Sequence, residues 1–562
     1  MTTFVDVLKK FYEIEPNRSS VTLQHPGQPD YPITYRELVE RSNDYAAAYA
    51  RAGIKPGEVI ILILQHGKDL VYSFWGAVLY GAIPSIMPFL TEKLTPERYR
   101  ADLSALFKHA HPTGIVTYPE FEADVRMMVD ESGHVVHDVF VTNRIARQDH
   151  VDWDSLPGMK RGENDIVLLQ HSSGSTGLQK GVALSHRAVF NQLDAYGDAI
   201  RLTRDDVIVS WLPLYHDMGL IACFLMPILR GVSVVQMSPF DWVRAPYKML
   251  QTISKYRGTL TWLPNFAYNF CAQKIRDRDL EGVDLSSWRA SVNSSEPVNY
   301  KSHGMFYERF KSYGLRLETL QTSYALAENT FAATQNDLDR APLVEKIDRE
   351  TFITDKVAHP VFDGRSAMEM MSCGKPISNT AIRIVDDRGH DLPERHVGEI
   401  VLKSNCMLTG YYHRPELTKK AFLDDGWYMT GDYGYMVNGE IFVAGRKKDL
   451  IIVGGKNVYP QDLESLACEV GGVHAGRTVA FGIFDESQGT EEVVIIAEVD
   501  THDEAEHERI ANEIRQHVTK NSAITLRHVR VVEPKWVLKT SSGKVARTAN
   551  KEKFLKEMEA VQ

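Results

Sequence analysis

The pattern that most constrains the fold is an alternation of short apolar runs with longer helical stretches. Glu58–Gln65 is a nearly continuous apolar segment with polar ends, which is typical of a strand buried on both faces. Lys68–Tyr80 follows with the spacing of a helix. Because strands that alternate with helices form parallel sheets covered by helices, the chain is predicted to be an α/β protein. Similar strand-like runs recur at Asp165–Leu169, Asp206–Leu212, Gly231–Met237 and Thr259–Leu263.

The length of the chain predicts more than one structural unit. It has 562 residues, whereas single cores stop growing at roughly 250–300 residues. Residues 1–446 are predicted to form a large N-terminal domain of two helix-covered sheets. Within it, the short strands Gly398–Leu402 and Gly439–Val443, with turn residues around them, indicate a small β-rich subdomain over about 375–446.

The pattern changes again after Gly445. Val493–Val499 and His528–Val532 are strand-like, and Ala505–Val518 is an amphipathic helix. Residues 447–562 are therefore predicted to be a small, mobile α+β C-terminal domain of ordinary domain size.

The composition narrows the function classes. A net charge of −10 argues against a nucleic-acid partner, and five cysteines without a CxxC pair argue against disulfides and structural zinc. A reducing cytoplasm is the expected location. The most apolar stretch, Leu220–Val235, is interrupted by Pro227 and Arg230, whereas a spanning helix needs about 20 mostly apolar residues. No membrane span is predicted, and this stretch is expected to form a buried helix, a turn and a strand.

A glycine- and hydroxyl-rich segment follows the strand-like run Ile166–Gln170. Its sequence is His171-Ser-Ser-Gly-Ser-Thr-Gly-Leu-Gln-Lys180-Gly181. Such a loop leaves backbone N–H groups free to wrap an anion, and Lys180 adds a positive charge. The Walker A and G-x-S-x-G patterns do not fit it. By itself it predicts an anion site, with a flexible surface turn as the alternative.

Further segments resemble, in the right order, the signatures of the adenylate-forming superfamily of acyl-CoA synthetases, luciferases and nonribosomal peptide adenylation domains. They are Tyr324-Ala-Leu-Ala-Glu328, Tyr428-Met-Thr-Gly-Asp432, Gly445-Arg-Lys-Lys-Asp449 and Lys539-Thr-Ser-Ser-Gly-Lys544. The glycine-rich segment resembles the phosphate loop of the same superfamily. The resemblance covers nearly the whole chain and implies an enzyme that uses ATP and Mg²⁺ to convert a carboxylic acid to its acyl-adenylate.

The resemblance also implies a role for each motif. Tyr324 offers a flat face to adenine, and Asp432 can accept hydrogen bonds from both ribose hydroxyls. Thr176 and Glu328 supply the hard oxygen atoms that suit Mg²⁺. Lys448 is the expected hinge. The predicted phosphate-binding residues are Ser172, Ser173, Gly174, Ser175, Thr176, Gly177 and Lys180, and the predicted adenine- and ribose-binding residues are Ser295, Glu296, Pro297, Tyr324, Ala325, Asp432 and Arg446.

Two residues are predicted to act in catalysis. A carboxylate that attacks the α-phosphorus of ATP brings two anions together, so the transition state needs positive charge, which Lys544 can supply from a mobile loop. His216, in Trp211-Leu-Pro-Leu-Tyr-His-Asp-Met-Gly219, lies where the family keeps an aromatic residue or a histidine beside the carboxylate and α-phosphate. Asp217 follows it, and amino-acid activators use an aspartate near this point for the substrate amino group.

Three features resemble the fatty acyl-AMP ligases within this superfamily. Pro264-Asn-Phe-Ala-Tyr268 is expected to line the acyl pocket through Asn265, Phe266 and Tyr268, and Gly455-Lys-Asn-Val-Tyr-Pro-Gln-Asp462 is the second feature. The third is a long interval after Glu328, in which roughly Asp337–Glu369 resembles the insertion that those enzymes link to loss of coenzyme-A use. The alternative for the insertion is a surface loop, since insertions there cost little.

The predicted function has two steps. The chain activates a carboxylic acid, expected to be a fatty acid for lipid or polyketide biosynthesis, as acyl-AMP. It then transfers the acyl group to the phosphopantetheine thiol of an acyl carrier protein after the C-terminal domain rotates. One rival is a coenzyme-A ligase of the same fold. The other is a degenerate protein that binds nucleotide or acts as a scaffold.

Overall fold

The computed structural model describes residues 2–89, 99–100, 103–104, 107, 110–133, 136–172, 180–361, 367–453, 456–485, 490–522, 524, 526–540 and 543–561. The first fourteen strands are β1 (Ser19–Gln24), β2 (Tyr31–Thr34), β3 (Val59–Ile63), β4 (Ile83–Ile86), β5 (Gly114–Thr117), β6 (Asp138–Val141), β7 (Ile166–Ser172), β8 (Lys180–Ser185), β9 (Val207–Ser210), β10 (Ser233–Met237), β11 (Leu260–Leu263), β12 (Ala290–Asn293), β13 (Leu320–Thr322) and β14 (Thr334–Gln335). The later strands are β15 (Val344–Asp348), β16 (Ala367–Met371), β17 (Lys375–Pro376), β18 (Thr380–Val385), β19 (Gly398–Ser404), β20 (Gly410–Tyr411), β21 (Tyr428–Val437), β22 (Glu440–Arg446), β23 (Ile451–Val453), β24 (Lys456–Val458), β25 (Val473–Asp485), β26 (Thr490–Val499) and β27 (His528–Val532).

Helices lie between these strands along the chain. They are α1 (Phe4–Ile14), α2 (Tyr35–Arg51), α3 (Lys68–Tyr80), α4 (Glu122–Ser132), α5 (His186–Ala199), a π-helix (Met218–Leu225), α6 (Met226–Arg230), α7 (Pro239–Arg244), α8 (Tyr247–Tyr256), α9 (Asn265–Lys274), α10 (Tyr300–Phe310), α11 (Arg349–Thr354), α12 (Pro415–Lys420), α13 (Pro460–Cys468), α14 (Glu504–Asn521) and α15 (Arg547–Val561).

Two mostly parallel sheets form the large N-terminal part. The seven-stranded sheet has the order β13-β12-β11-β9-β10-β1-β2, and only β1 and β2 pair antiparallel. The four-stranded sheet has the order β4-β3-β5-β6 and is parallel throughout. Every residue of β3 is buried, as the apolar run Glu58–Gln65 predicted, and Lys68–Tyr80 is α3. The predicted α/β class of helix-covered sheets is confirmed.

The run Asp165–Leu169 differs from its prediction. We expected a parallel strand, and this was wrong, because β7 pairs antiparallel with β8, which pairs antiparallel with β20. The physical reason is the short connection between β7 and β8. A short connection reverses the chain direction, whereas a parallel pair needs a crossover of about a dozen residues or more.

The β-rich segment and the C-terminal part follow their predicted patterns. Strands β18, β19, β21 and β22 form an antiparallel sheet in that order. In the C-terminal part, β25 and β26 pair antiparallel, and β26 and β27 pair parallel. Helix α14 packs on this sheet through Ile510, Ile514 and Val518, which are its buried residues. The boundary near residue 446 and the mobility of the part beyond it remain predictions.

The apolar stretch Leu220–Val235 is buried inside the N-terminal part. It forms most of the π-helix, then α6 and the start of β10, with Gly231 at a positive φ of 67° in the turn between them. This matches the predicted helix, turn and strand. Within the part of the chain that the structure describes, no helix has both the length and the apolar character that a membrane span requires.

Candidate active site

A cavity of about 760 Å³ lies where the ends of the two larger sheets, the β18–β22 sheet and the C-terminal part meet. It gathers most of the described residues that the motifs singled out, although they come from distant parts of the chain. Those that line it are Lys180, His216, Ser295, Glu296, Pro297, Tyr324, Ala325, Glu328, Asp432, Arg446, Lys448 and Lys544. Residues 173–179 lie outside the described residues, so the predicted phosphate-binding residues Ser173, Gly174, Ser175, Thr176 and Gly177 are not placed. The flanking His171 and Lys180 both line the cavity.

One wall of the cavity is a hydrogen-bonded group of Tyr324, Asp432 and Arg446. The strand register sets Asp432 of β21 directly opposite Arg446 of β22. The Tyr324 hydroxyl donates to Asp432 Oδ2 at 2.7 Å, and Arg446 Nε lies 3.5 Å from Asp432 Oδ1. Burial raises the pKa of Asp432, an effect that Arg446 and the Tyr324 hydroxyl oppose. A carboxylate held in this way can accept hydrogen bonds from a pair of ligand hydroxyls.

Glu328 is held by a second group on the same side. The Tyr411 hydroxyl donates to Glu328 Oε1 at 2.9 Å and lies 3.0 Å from the Tyr428 hydroxyl. Lys180 Nζ sits 4.7 Å from the centre of the Tyr411 ring. Tyr411 thus links Glu328 to the end of the glycine-rich segment. The motifs did not reveal this residue, because 83 positions separate it from Glu328 and no spacing pattern connects them.

Glu328 fits the way in which proteins hold Mg²⁺ beside a nucleotide. Mg²⁺ is commonly bound through one or two carboxylates together with substrate phosphates. Among the described residues, no group of three or more His, Cys, Asp and Glu side chains could hold a metal ion alone. A single oriented carboxylate that shares the neighbour Tyr411 with Lys180 suits Mg²⁺ that arrives with a nucleotide.

Lys544 enters the cavity from the C-terminal part on a tight turn. Lys544 N donates to Thr540 Oγ at 3.1 Å, and Gly543 adopts a positive φ of 89° that favours glycine. A Cβ at Gly543 would lie 3.6 Å from the Phe266 ring, so the turn sits against α9. Burial lowers the pKa of Lys544, and the carboxylates of Asp217, Glu296 and Asp432 counteract part of that effect. Lys544 therefore brings a cation to a cavity with three acidic neighbours.

His216 and Glu296 lie near this lysine. His216 Nδ1 is 2.7 Å from Asp217 Oδ1. Glu296 Oε2 accepts a hydrogen bond from the Phe266 backbone N–H at 3.1 Å, and burial raises the pKa of Glu296. Ser295, the residue before it, has a positive φ of 70°, which turns the chain toward the cavity.

The residues predicted for the acyl pocket do not line this cavity. Tyr268 is fully buried and donates to the Ser291 carbonyl at 3.1 Å. Asn265 Nδ2 donates to Ser302 Oγ, and Phe266 lies about 6 Å, between ring centres, from both Trp211 and Trp242. Where the acyl chain binds remains a prediction.

Comparisons with known proteins agree with this geometry. Residues 13–412 match the family described as AMP-binding enzyme. A Mycobacterium tuberculosis protein is 30% identical over 94% of this chain and 96% of its own length. The medium-chain-fatty-acid–[acyl-carrier-protein] ligase of Moorena producens is 28% identical over 99% of this chain and 95% of its own length.

A solved structure from work on fatty acyl-adenylate ligases of E. coli and L. pneumophila superposes with a TM-score of 0.89 at 27% identity, over 100% of this chain and 99% of that one. The family match, the relatives and the cavity point to the same chemistry. The chain therefore belongs to the AMP-binding enzyme family and is an acid-AMP-forming ligase.

Proposed function

We propose that this enzyme activates a fatty acid as its acyl-adenylate and passes the acyl group to the phosphopantetheine thiol of an acyl carrier protein. The observation that carries the first step is the position of Lys544. It comes from the C-terminal part, yet lines the same cavity as Tyr324, Asp432 and the end of the glycine-rich segment.

In the first step, a carboxylate oxygen attacks the α-phosphorus of ATP. The bond from that phosphorus to the β-phosphate oxygen breaks, and pyrophosphate leaves. Asp432 holds the ribose, Tyr324 packs on adenine, and Lys180 faces the phosphates. Lys544 offsets the negative charge that accumulates between the two anions. Glu328, with Thr176 as the other predicted ligand, would hold Mg²⁺, which would neutralise phosphate charge when bound.

In the second step, the thiol attacks the acyl carbon, and AMP leaves with the bridging oxygen. Lys544 and the attacking thiol cannot occupy one side of the acyl-adenylate together. The C-terminal part must therefore turn about Lys448 after the adenylate forms.

Four residues, which we call the insertion clamp, bear on the identity of the acceptor: Arg349, Phe352, Tyr459 and Asp462. The first two belong to α11, in the inserted segment, and the other two lie beyond Lys448. Arg349 Nη1 donates to Asp462 Oδ2, and Arg349 is only 8% exposed. The Phe352 and Tyr459 rings lie 5.5 Å apart. The clamp joins the insertion to the part that must turn.

The insertion clamp opposes rotation, because turning about Lys448 separates both pairs. Separating a buried ion pair costs free energy, because its mutual attraction and its hydrogen bond are lost. A folded carrier protein can offset this cost through its own interface, whereas free coenzyme A has only a small contact surface. This favours a carrier protein as acceptor, as does the acyl-carrier-protein ligase among the relatives.

The proposal is tested in two assays on the purified enzyme. A hydroxylamine-trapping screen over acids of varied length and polarity should give hydroxamate only with ATP, and most strongly with fatty acids. Thioester formation is then compared between a holo-carrier protein and free coenzyme A. Thioester with coenzyme A at the carrier's rate would establish the coenzyme-A ligase instead. Failure to trap hydroxamate with any acid would favour a nucleotide-binding or scaffold role.

A further inference from the structure

The residue after His216 is buried, charged and has no role in the mechanism above. Asp217 is 8% exposed and lines the cavity beside His216. Burying a carboxylate that lacks hydrogen-bond partners costs free energy. The groups that donate to Asp217 therefore indicate its role.

Both partners of Asp217 Oδ1 lie next to it in the chain. The Met218 backbone N–H donates to Oδ1 at 2.7 Å, and His216 Nδ1 lies 2.7 Å from the same atom. The first bond begins the π-helix Met218–Leu225, whose eight residues are all buried. The second contact fixes the Nδ1 edge of the His216 imidazole. Because Nδ1 faces an acceptor-only carboxylate, Nδ1 must carry a proton.

The chain around the pair fixes its position. Leu220 N donates to the His216 carbonyl at 2.8 Å, and His216 N donates to the Pro213 carbonyl at 3.2 Å. Gly219 lies against Pro213 so closely that a Cβ at this position would clash with the Pro213 carbonyl. The His216 ring is therefore set by a buried helix start, and not by a free loop.

We propose that Asp217 is the positioning residue of His216: it keeps Nδ1 protonated and the ring edge fixed, so that Nε2 is presented to the reacting carboxylate and α-phosphate. This rests on the proposed function, since it assigns Asp217 within the adenylate-forming step. A carboxylate that bonds the far nitrogen of a working imidazole selects its tautomer and stabilises its protonated form. Because Nδ1 already carries one proton, Nε2 can donate a hydrogen bond to an anionic oxygen only as the imidazolium, in which both ring nitrogens are protonated; a cation there offsets the charge where carboxylate and phosphate meet.

The surrounding charges are consistent with an ionised Asp217. Burial acts to raise its pKa, but the attraction of His216 and Lys544 outweighs burial, and the pKa lies below its ordinary value. Glu296 is the other carboxylate that faces His216 and Lys544.

The test is a double-mutant cycle in the full-length enzyme, on an acid that the wild type activates. Asp217→Asn keeps the shape and an oxygen for the Met218 N–H, but removes the charge and the fixed tautomer. It should lower kcat for pyrophosphate release by about 10–100-fold, the range found when a metal-bound histidine loses the partner of its other nitrogen, with little change in the KM for ATP. His216→Ala should lower kcat at least as much. In the His216→Ala background, Asp217→Asn should lower kcat by less than about threefold, because no imidazole remains for Asp217 to position.

The controls separate this role from helix capping. Asp503→Asn makes the same change at the start of α14, where Asp503 accepts from the Ala505 N–H, and should leave kcat unchanged. Asp217→Ser keeps a helix-capping oxygen without the carboxylate and replaces Asp217→Asn if that variant fails to fold.

Two results would overturn the proposal: a kcat for Asp217→Asn within twofold of the wild type, or an equal loss in both backgrounds. A wild type without acid-dependent pyrophosphate release would instead overturn the proposed function, before any variant is compared.

Discussion

On the proposed nucleotide side of the cavity the residues are held by strands, whereas Lys544 is held by a turn. Asp432 and Arg446 face each other across two paired strands, and Tyr324 bonds to Asp432. Lys544 sits on the turn that begins at Thr540 and contacts the N-terminal part beside Phe266. This contrast fits the proposed mechanism, in which the nucleotide stays bound while Lys544 moves away.

The largest effect on activity should come from Lys544, which belongs to the C-terminal part. Lys544→Ala removes the charge that opposes the meeting of two anions, so acid-dependent pyrophosphate release should fall by about 10²–10³-fold. ATP binding, measured by equilibrium dialysis, should change little, because the strand-held side stays intact. Lys535→Ala, at an exposed lysine nearby, is the control and should keep wild-type activity. Pyrophosphate release unchanged in Lys544→Ala would remove Lys544 from catalysis.

The next largest effect should come from Asp432 on the strand-held side, and it should appear as weaker ATP binding. Asp432→Asn replaces a charged acceptor, and losing a hydrogen bond to a charged group costs about 1.5–3 kcal/mol. The KM for ATP should therefore rise by about 10–100-fold. Because burial raises the pKa of Asp432, the wild-type affinity for ATP should also weaken as pH falls, beginning at a higher pH than an exposed aspartate would give. A mutant with unchanged KM for ATP would place the ribose elsewhere.

A smaller effect is expected at Tyr411, which orients Glu328. Tyr411→Phe removes the hydroxyl at 2.9 Å and should raise the Mg²⁺ concentration for half-maximal activity by about tenfold. The neighbouring Tyr412→Phe is the matched control. Equal Mg²⁺ requirements in the two variants would show that the Tyr411 hydroxyl does not serve the metal.

The smallest effect concerns the insertion clamp, which joins the two sides. Arg349→Ala leaves Asp462 unpaired, so thioester formation with free coenzyme A should rise about fivefold, equivalent to about 1 kcal/mol less opposition to rotation. Lys346→Ala changes an exposed cation of the same insertion and should leave this rate alone. Faster thioester formation with coenzyme A in both variants, or in neither, would show that the insertion clamp does not determine the choice of acceptor.

Much of this arrangement could be predicted from sequence, because ordered motifs mark it. Lys180, Tyr324, Glu328, Asp432 and Lys544 stand in motifs, and the cavity brings them together. The apolar alternation also predicted β3 and α3 closely. Sequence motifs reveal local chemistry, and apolar periodicity reveals burial. The motif residues, β3 and α3 depend on little besides these two properties.

The remainder depends on contacts between distant segments. Tyr411 reaches Glu328, and Arg349 reaches Asp462, only after folding. Tyr268 looked suitable for an apolar pocket, but it is fully buried with its hydroxyl bonded to Ser291. An aromatic residue in a helix is apolar whether it faces a ligand or the core, so composition alone did not distinguish them. Strand direction at β7 likewise followed from the length of a connection and not from its apolar residues.

We infer that this cavity joins a carboxylate oxygen to the α-phosphorus of ATP. The direct measurement uses an acid labelled with oxygen-18 in its carboxylate, ATP and hydroxylamine, with the released AMP analysed by mass spectrometry. We expect one oxygen-18 atom in AMP for each hydroxamate formed, because hydroxylamine attacks the acyl carbon and leaves the bridging oxygen on phosphorus. Unlabelled AMP, or ADP and phosphate in place of AMP and pyrophosphate, would contradict it.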